Sequence, residues 1–213
     1  FDTLASLPVG PGMVHKKLVA PMVPWTINVL EIDLRNLYVS METVKAQDRL
    51  TGFERTSSMA SRKNYPGHYV VGAVNGDFYG TIPIGIQILS GEILRTPIDK
   101  STLGFDVNKS PMINIVNFSG VVKRSAVTAT LDGINQTRAT NQLILYNKYF
   151  GASTGTNVFG AEALIRPVGA WLVNDTLTCV VDTVVNSVGN MPIPTGKAVL
   201  SGHGTAQTFV YTN

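Results

Sequence analysis

Residues 69–85 read YVVGAVNGDFYGTIPIG, and the fold turns on how that stretch is understood. An apolar run over residues 70–74 breaks at Asn75-Gly76-Asp77, and aromatic residues, glycines and a proline follow. Asn-Gly is the strongest short signal for a two-residue hairpin, because a type I′ turn needs positive φ at both central residues. That reading puts Asn75 at an exposed turn tip and starts a return strand at Asp77. The other reading makes residues 70–74 a buried central strand, with Asn75 and Asp77 projecting where the strand leaves the core. Residues two apart on an extended strand point to one face, so a continued strand turns both polar side chains toward one concave site. Gly76 and Gly80 remove side-chain bulk beside it. Phe78 and Tyr79 offer rings that either pack in the core or stack on a sugar. An aspartate at such a strand end can act as nucleophile, general base or metal ligand.

Working outward, Thr51-Gly52-Phe53-Glu54 fits a capping box in which Thr51 is the N-cap and Glu54 reaches back. Pro66 and Gly67 supply a stop signal. The spacing predicts a helix over residues 52–64, packed on a sheet that contains residues 70–74. Upstream, residues 1–20 are rich in proline and glycine and read as an extended arm. Strands are expected at TINVLEIDL and LYVSMETV, with Arg35-Asn36 as a tight connection, the second alternating at period two. Further short β-like runs are HYVVGAV, IGIQILS, GEILR, TLGFDV, MINIVNF, SAVTATL, LILYNKYF, EALIRPV, LTCVVDTVV, AVLSGHG and AQTFVYT, bounded by Gly, Asn, Asp and Pro. No linker or repeat divides the chain. The expected architecture is α+β: residues 21–213 form one β-rich domain, a mostly antiparallel sheet with one or two helices packed on it.

Composition narrows the function. Hydrophobic residues make up 44% of the 213 residues and charged ones only 15%, which implies a substantial core. The net charge is +3 with basic residues scattered, so no basic stripe marks a nucleic-acid partner. The lone cysteine, Cys179, sits in an apolar run and reads as a buried small hydrophobe; one cysteine makes neither an internal disulfide nor a cysteine zinc cluster. His15, His68 and His203 are far apart, and a histidine metal site would need long-range convergence, so metal and cofactor are left open. No apolar run approaches the roughly 20 residues of a membrane span. NFS, NQT and NDT match the glycosylation sequon by pattern alone.

HYVVGAVNGDFYG followed by IPIGIQILSGEILR resembles the phosphodiester glycosidase family, which includes the "uncovering enzyme" of lysosomal targeting. The family motif, Asn-Gly-Gly/Asp-Phe-Phe/Tyr, then Pro-x-Gly, then a Gly-Glu hairpin, is matched by Asn75-Gly76-Asp77-Phe78-Tyr79, Pro83-Ile84-Gly85 and Gly91-Glu92. INVLEIDLRN resembles the first strand of the family, GFERTSSMASR the helix before the motif, and INQTRATNQLILYNKYFG with TNVFGAEALI its middle segment. The later Arg-Thr-Ala/Ser, Asp-Gly-Arg and Asp-Gly-Gly-Gly-Ser elements of the family do not occur; Asp132-Gly133 reads as a turn. The expectation is therefore the N-terminal portion of a module, with distal parts of the site missing and little or no activity by itself.

The resemblance implies cleavage between a sugar's anomeric carbon and a phosphodiester-linked group, in an exported protein of a bacterial periplasm, envelope or exterior. Glycoside hydrolysis usually takes two carboxylates. A phosphate leaving group, with a second pKa of about 6, departs with less help from an acid. What remains is to stabilise the oxocarbenium charge, activate water and hold phosphate oxygens. On this reading Asp77 is the catalytic carboxylate, and Asn75 binds a sugar hydroxyl or orients Asp77. Gly76, Phe78 and Tyr79 line the sugar. Glu92 is a second carboxylate or a solvated hairpin residue. Arg138 and Arg166 are phosphate contacts or exposed structural residues, and His68 and His203 acid–base groups or satisfied polar residues. The alternatives are a non-catalytic carbohydrate-binding or envelope scaffold module and a β-sandwich capsid or adhesin subunit.

Overall fold

The computed structural model describes residues 1–211. The fold is β-rich: small, mostly antiparallel sheets and two seven-residue α-helices. Among the described residues no helix is long and apolar enough to cross a membrane. Internal contacts divide the chain into two compact units.

The first unit takes Phe1–Glu42, Arg55–Gly76 and Leu103–Ile113. Strands β1 (Asp2–Gly10), β2 (Met13–Ala20) and β3 (Trp25–Ile32) form an antiparallel meander. Residues 1–20 are thus two paired strands and not a free arm. Proline misleads here: Pro8 lies in β1, an edge strand, where a missing N–H donor is tolerated. Beyond β3, residues 37–44 form no strand. Polar caps shape them instead: Asn36 Oδ1 accepts from Tyr38 N at 2.9 Å, and Lys109 Nζ donates to the carbonyls of Asn36 and Val39 at 3.0 and 2.6 Å.

Helix α1 (Thr56–Arg62) is shorter than expected and buries no residue. The capping box does not form. Arg55 is the N-cap without a side-chain bond, and Glu54 instead accepts from Gln47 N at 2.7 Å. The expected strand over residues 70–74 is also absent. Val74 is 82% exposed. The segment does approach the meander, since a Cβ on Gly72 would lie 2.4 Å from Leu30 Cδ2, but it makes no ladder. Asn64 Oδ1 caps Val70 N at 2.6 Å, a side chain taking the place of a neighbouring strand.

The second unit takes Thr43–Glu54, Asp77–Thr102 and the chain from Asn114 onward. Strands β4 (Gln87–Leu89) and β5 (Glu92–Arg95) form a hairpin through Ser90 and Gly91, both at positive φ, the signature of a type I′ turn. β6 (Ser101–Phe105) and β7 (Pro111–Ile115) pair, and the division between the units runs through them. β8 (Gly120–Arg124) and β9 (Val127–Leu131) make another antiparallel pair. The main sheet comprises β10 (Gly133–Ile134), β11 (Leu143–Tyr146), β12 (Ala161–Val168), β13 (Thr178–Asn186) and β14 (Ala198–Gly202), in the order β10-β11-β14-β12-β13. Only β10 and β11 run parallel in it.

The three middle strands are largely buried on both faces. Leu143, Leu145, Ala163, Ile165 and Leu200 face a core closed by Phe209 and Val210 of helix α2 (Thr205–Tyr211). Ile144, Tyr146 and Val199 face the other way, against Met191 and Ile193. Each of the leucine, isoleucine and valine side chains contributes about 1.5–3 kcal/mol by leaving water. AQTFVYT, expected as a strand, is helical over its described residues; Thr212 lies outside them. Ala206, Phe209 and Val210 fall on one helical face, and Asn141 Oδ1, far away in sequence, receives Thr205 N at 3.0 Å.

A buried amide pair joins β5 to this sheet. Asn135 Nδ2 donates to Leu94 O at 2.9 Å and to Asn147 Oδ1 at 2.6 Å, and Asn147 Nδ2 donates to Ile93 O at 3.0 Å. Two carboxamides thus stand in for ladder bonds.

Candidate functional site

Asn75-Gly76 is not a type I′ turn, because neither residue has positive φ. It does not continue a strand either, so the alternation that was to align Asn75 and Asp77 is missing. Asn75 and Gly76 belong to the first unit and Asp77 to the second. Asn75 Oδ1 accepts a hydrogen bond from Thr56 Oγ1, at the start of α1.

Asp77 closes its own loop. Its Oδ1 accepts from Phe78 N at 2.7 Å and its Oδ2 from Ile84 N at 2.6 Å. Nearby, Lys45 Nζ donates to the carbonyls of Gly52 and Thr81, each at 3.1 Å, and Gly52 N donates to Thr81 O at 3.0 Å. Burial pushes the Lys45 ammonium below its usual pKa, and the Asp77 charge partly restores it. Tyr79, 93% exposed, stacks on Phe53 with ring centroids 4.7 Å apart and planes 13° off parallel. Phe78 is also exposed. Two tied loops therefore present an aromatic pair to solvent beside a carboxylate and a lysine.

A denser polar cluster lies in the main sheet. Glu162 is 0% exposed on β12, opposite Ser201 on β14. Its Oε1 accepts from Thr156 Oγ1 at 2.9 Å and Ser201 Oγ at 2.8 Å, and its Oε2 from Met191 N at 2.8 Å. Burying a carboxylate is tolerable only with such partners. Ser201 Oγ in turn accepts from Arg138 Nη1 at 2.8 Å. Arg138 Nη2 donates to Asn157 Oδ1 at 2.9 Å and Phe159 O at 2.6 Å, while its buried Nε has no partner. Burial lowers the Arg138 pKa; the charge of Glu162 opposes this. Tyr146, whose hydroxyl donates to Gln136 O at 2.8 Å, has its pKa pushed up to about 12, first by burial. The result is a relay from a half-buried guanidinium, through one hydroxyl, to a fully buried carboxylate.

Arg138 was legible in the sequence; Glu162, Ser201 and Thr156 were not. One signal was available: Glu162 interrupts the apolar run of AEALI, and a charge in a strand buried on both faces needs a partner. Glu92 is a correction to the solvated hairpin reading, for it is buried and pairs with Lys148 Nζ at 2.8 Å. Arg166 is exposed and lies 3.6 Å from Asp182. His68 donates to Lys63 O and Glu42 Oε1, each at 2.9 Å, and the Glu42 carboxylate raises its pKa. The His203 ring lies 6.4 Å from that of Phe159. Cys179 is half-buried, and burial raises its pKa. Among the described residues no three His, Cys, Asp or Glu side chains gather as metal ligands. An open groove of about 620 Å³ between β9 and α2, lined by Arg124, Asp132 and several threonines, contains none of the candidate site residues.

No protein-family model matches the chain, and no curated protein matches it. A solved structure does. The crystal structure of a hypothetical protein from Synechocystis is similar with a TM-score of 0.59 and 14% identity, over 91% of this chain. That likeness is one of fold. The chain spans 36% of the length of the Synechocystis chain.

Proposed function

We propose that the chain is a phosphodiester glycosidase-like protein, of α+β type, acting on a sugar-1-phosphodiester of a glycoconjugate or surface polysaccharide outside the cytoplasm. One observation carries the reading. The two stretches that resemble the middle segment of the family, one containing Arg138 and the other Asn157, Phe159 and Glu162, meet in a single hydrogen-bonded network. Such convergence is what a working site requires of residues far apart in sequence. In this reading Arg138 holds the phosphate, as planar guanidinium groups do. Glu162 balances its charge through Ser201, and Asp77 is the carboxylate that steadies the oxocarbenium charge or activates water as the phosphate leaves.

The chain by itself is expected to have little or no activity, so the test is release of free sugar from a methyl-phosphate diester of an N-acetylhexosamine by the longest form of the protein that carries this chain. Arg138→Lys should raise KM by about tenfold, the equivalent of about 1.4 kcal/mol of phosphate binding. Asp77→Asn should lower kcat by roughly 10²-fold if it is acid or base. Full activity in both variants would sink the proposal.

The second reading, a non-catalytic carbohydrate-binding module, is favoured by the engagement of both Asp77 oxygens with backbone N–H groups and by the exposure of Tyr79. It expects no hydrolysis, with sugar binding that Tyr79→Ala abolishes in a titration followed by NMR.

A further inference from the structure

The sequence contains one Asn-Gly step, Asn75-Gly76. Asn75 and Gly76 are both exposed and belong to no strand, helix or tight turn. Nothing lies within 4 Å of where a Cβ on Gly76 would stand, so no residue beyond its chain neighbours crowds the glycine. The carboxamide oxygen of Asn75 already accepts a hydrogen bond from the Thr56 hydroxyl. A donor on that oxygen stabilises negative charge as it develops there, as the donors of an oxyanion hole do.

We propose that Asn75 is a site of intramolecular deamidation, with Thr56 as the group that polarises its carbonyl. The backbone nitrogen of Gly76 adds to Cγ of Asn75. The new N–Cγ bond closes a five-membered succinimide, the Cγ–Nδ2 bond breaks, and ammonia leaves with the proton given up by Gly76. Water then opens the ring. Attack at Cγ yields aspartate, and attack at the backbone carbonyl yields isoaspartate, whose main chain is longer by one methylene. The net change is one water consumed and one ammonia released, with no oxidant or reductant. Either product puts a second carboxylate two residues before Asp77 and lowers the formal net charge of +3 by one.

The molecule holds its own control. Asp132-Gly133 can form the same ring in principle, but Asp132 Oδ2 accepts from Leu143 N at 2.7 Å, and Gly133 is buried in β10 beside Gln136. That step is locked.

The experiment is incubation of the purified folded chain at mildly alkaline pH, followed by peptide mapping with fragmentation that distinguishes aspartate from isoaspartate. Asn75 should be the first asparagine converted, giving both products, with residue 133 still joined by a normal peptide bond. Gly76→Ala should suppress the reaction. Thr56→Val should slow it roughly two- to tenfold, the rate equivalent of one hydrogen bond, whereas Thr56→Ser should keep it. In denaturant the Thr56 substitutions should make no difference, which separates polarisation from an intrinsic effect of sequence. An intact Asn75 after other asparagines have reacted would overturn the proposal, as would equal rates for the folded Thr56→Val variant and the parent.

Discussion

The loop around Asp77 holds its carboxylate by two backbone N–H groups and the cluster around Glu162 by two hydroxyls and one backbone N–H, and they are opposite kinds of site. Asp77 is exposed, and its partners lie within its own loop, one and seven residues away. Glu162 has no exposure, and its donors come from 6, 29 and 39 residues away. The first arrangement shapes a loop. The second ties separate parts of a sheet together and supports an arginine at its rim. A recognisable motif and a convergent cluster are thus different objects, and only the second depends on the whole fold.

The strongest way to break that comparison is to remove each carboxylate. Glu162→Ala leaves Thr156, Ser201 and Met191 N without an acceptor and Arg138 without its counter-charge, and should cost about 3–5 kcal/mol in denaturant unfolding. A cost near zero would show that the cluster is dispensable. Next comes the amide pair. Asn147→Ala removes one of the two acceptors of Asn135 Nδ2 and the donor to Ile93 O, and should cost about 1–3 kcal/mol, with hydrogen exchange of the β4–β5 hairpin rising first. Asp77→Ala should cost less, about 1 kcal/mol, because water can replace the lost acceptor. If it matched Glu162→Ala, the contrast would fail.

The smallest effect sharpens the comparison by adding a titrating staple of the first unit. Both partners of the His68 ring, a carbonyl and a carboxylate, are acceptors, so the imidazolium satisfies both. The folded pKa is raised above the ordinary 6.5. Its stabilisation is therefore complete below about that value and is lost as pH rises through the higher folded pKa. A His68→Gln variant should show a flatter stability profile across that window, measured as Tm against pH.

Much of the β-rich character was legible in the sequence. β3, β5 and β12 to β14 fall close to their expected positions because turn residues bound apolar runs there. Three errors share a cause. Residues 70–74 have the composition of a buried strand, but no neighbouring strand pairs with them. AQTFVYT has β-formers but becomes a helix because its apolar positions meet a sheet face and Asn141 caps it. Residues 1–20 look irregular because of proline, yet an edge strand tolerates it. For AQTFVYT the deciding partner is distant in the chain, for residues 70–74 it is missing, and for residues 1–20 it is the adjacent strand; local propensity reports none of these. The same holds for the site: Asn75 and Asp77 were visible as a motif, whereas Ser201 and Glu162 become partners only through the register of β12 on β14.

β13 ends the main sheet, and Val180, Val181 and Val184 are each at least 40% exposed along it. An outermost strand of that composition is a template on which another chain can add. Asp182 stands in the middle of the run, held by Lys197 Nζ at 2.8 Å and near Arg166, and these partners keep its carboxyl ionised further into acid than usual. A fixed charge at that point makes each added strand bury an ion. The small ion pair at the sheet margin is therefore expected to oppose edge-to-edge association, and to oppose it less once acid protonates Asp182.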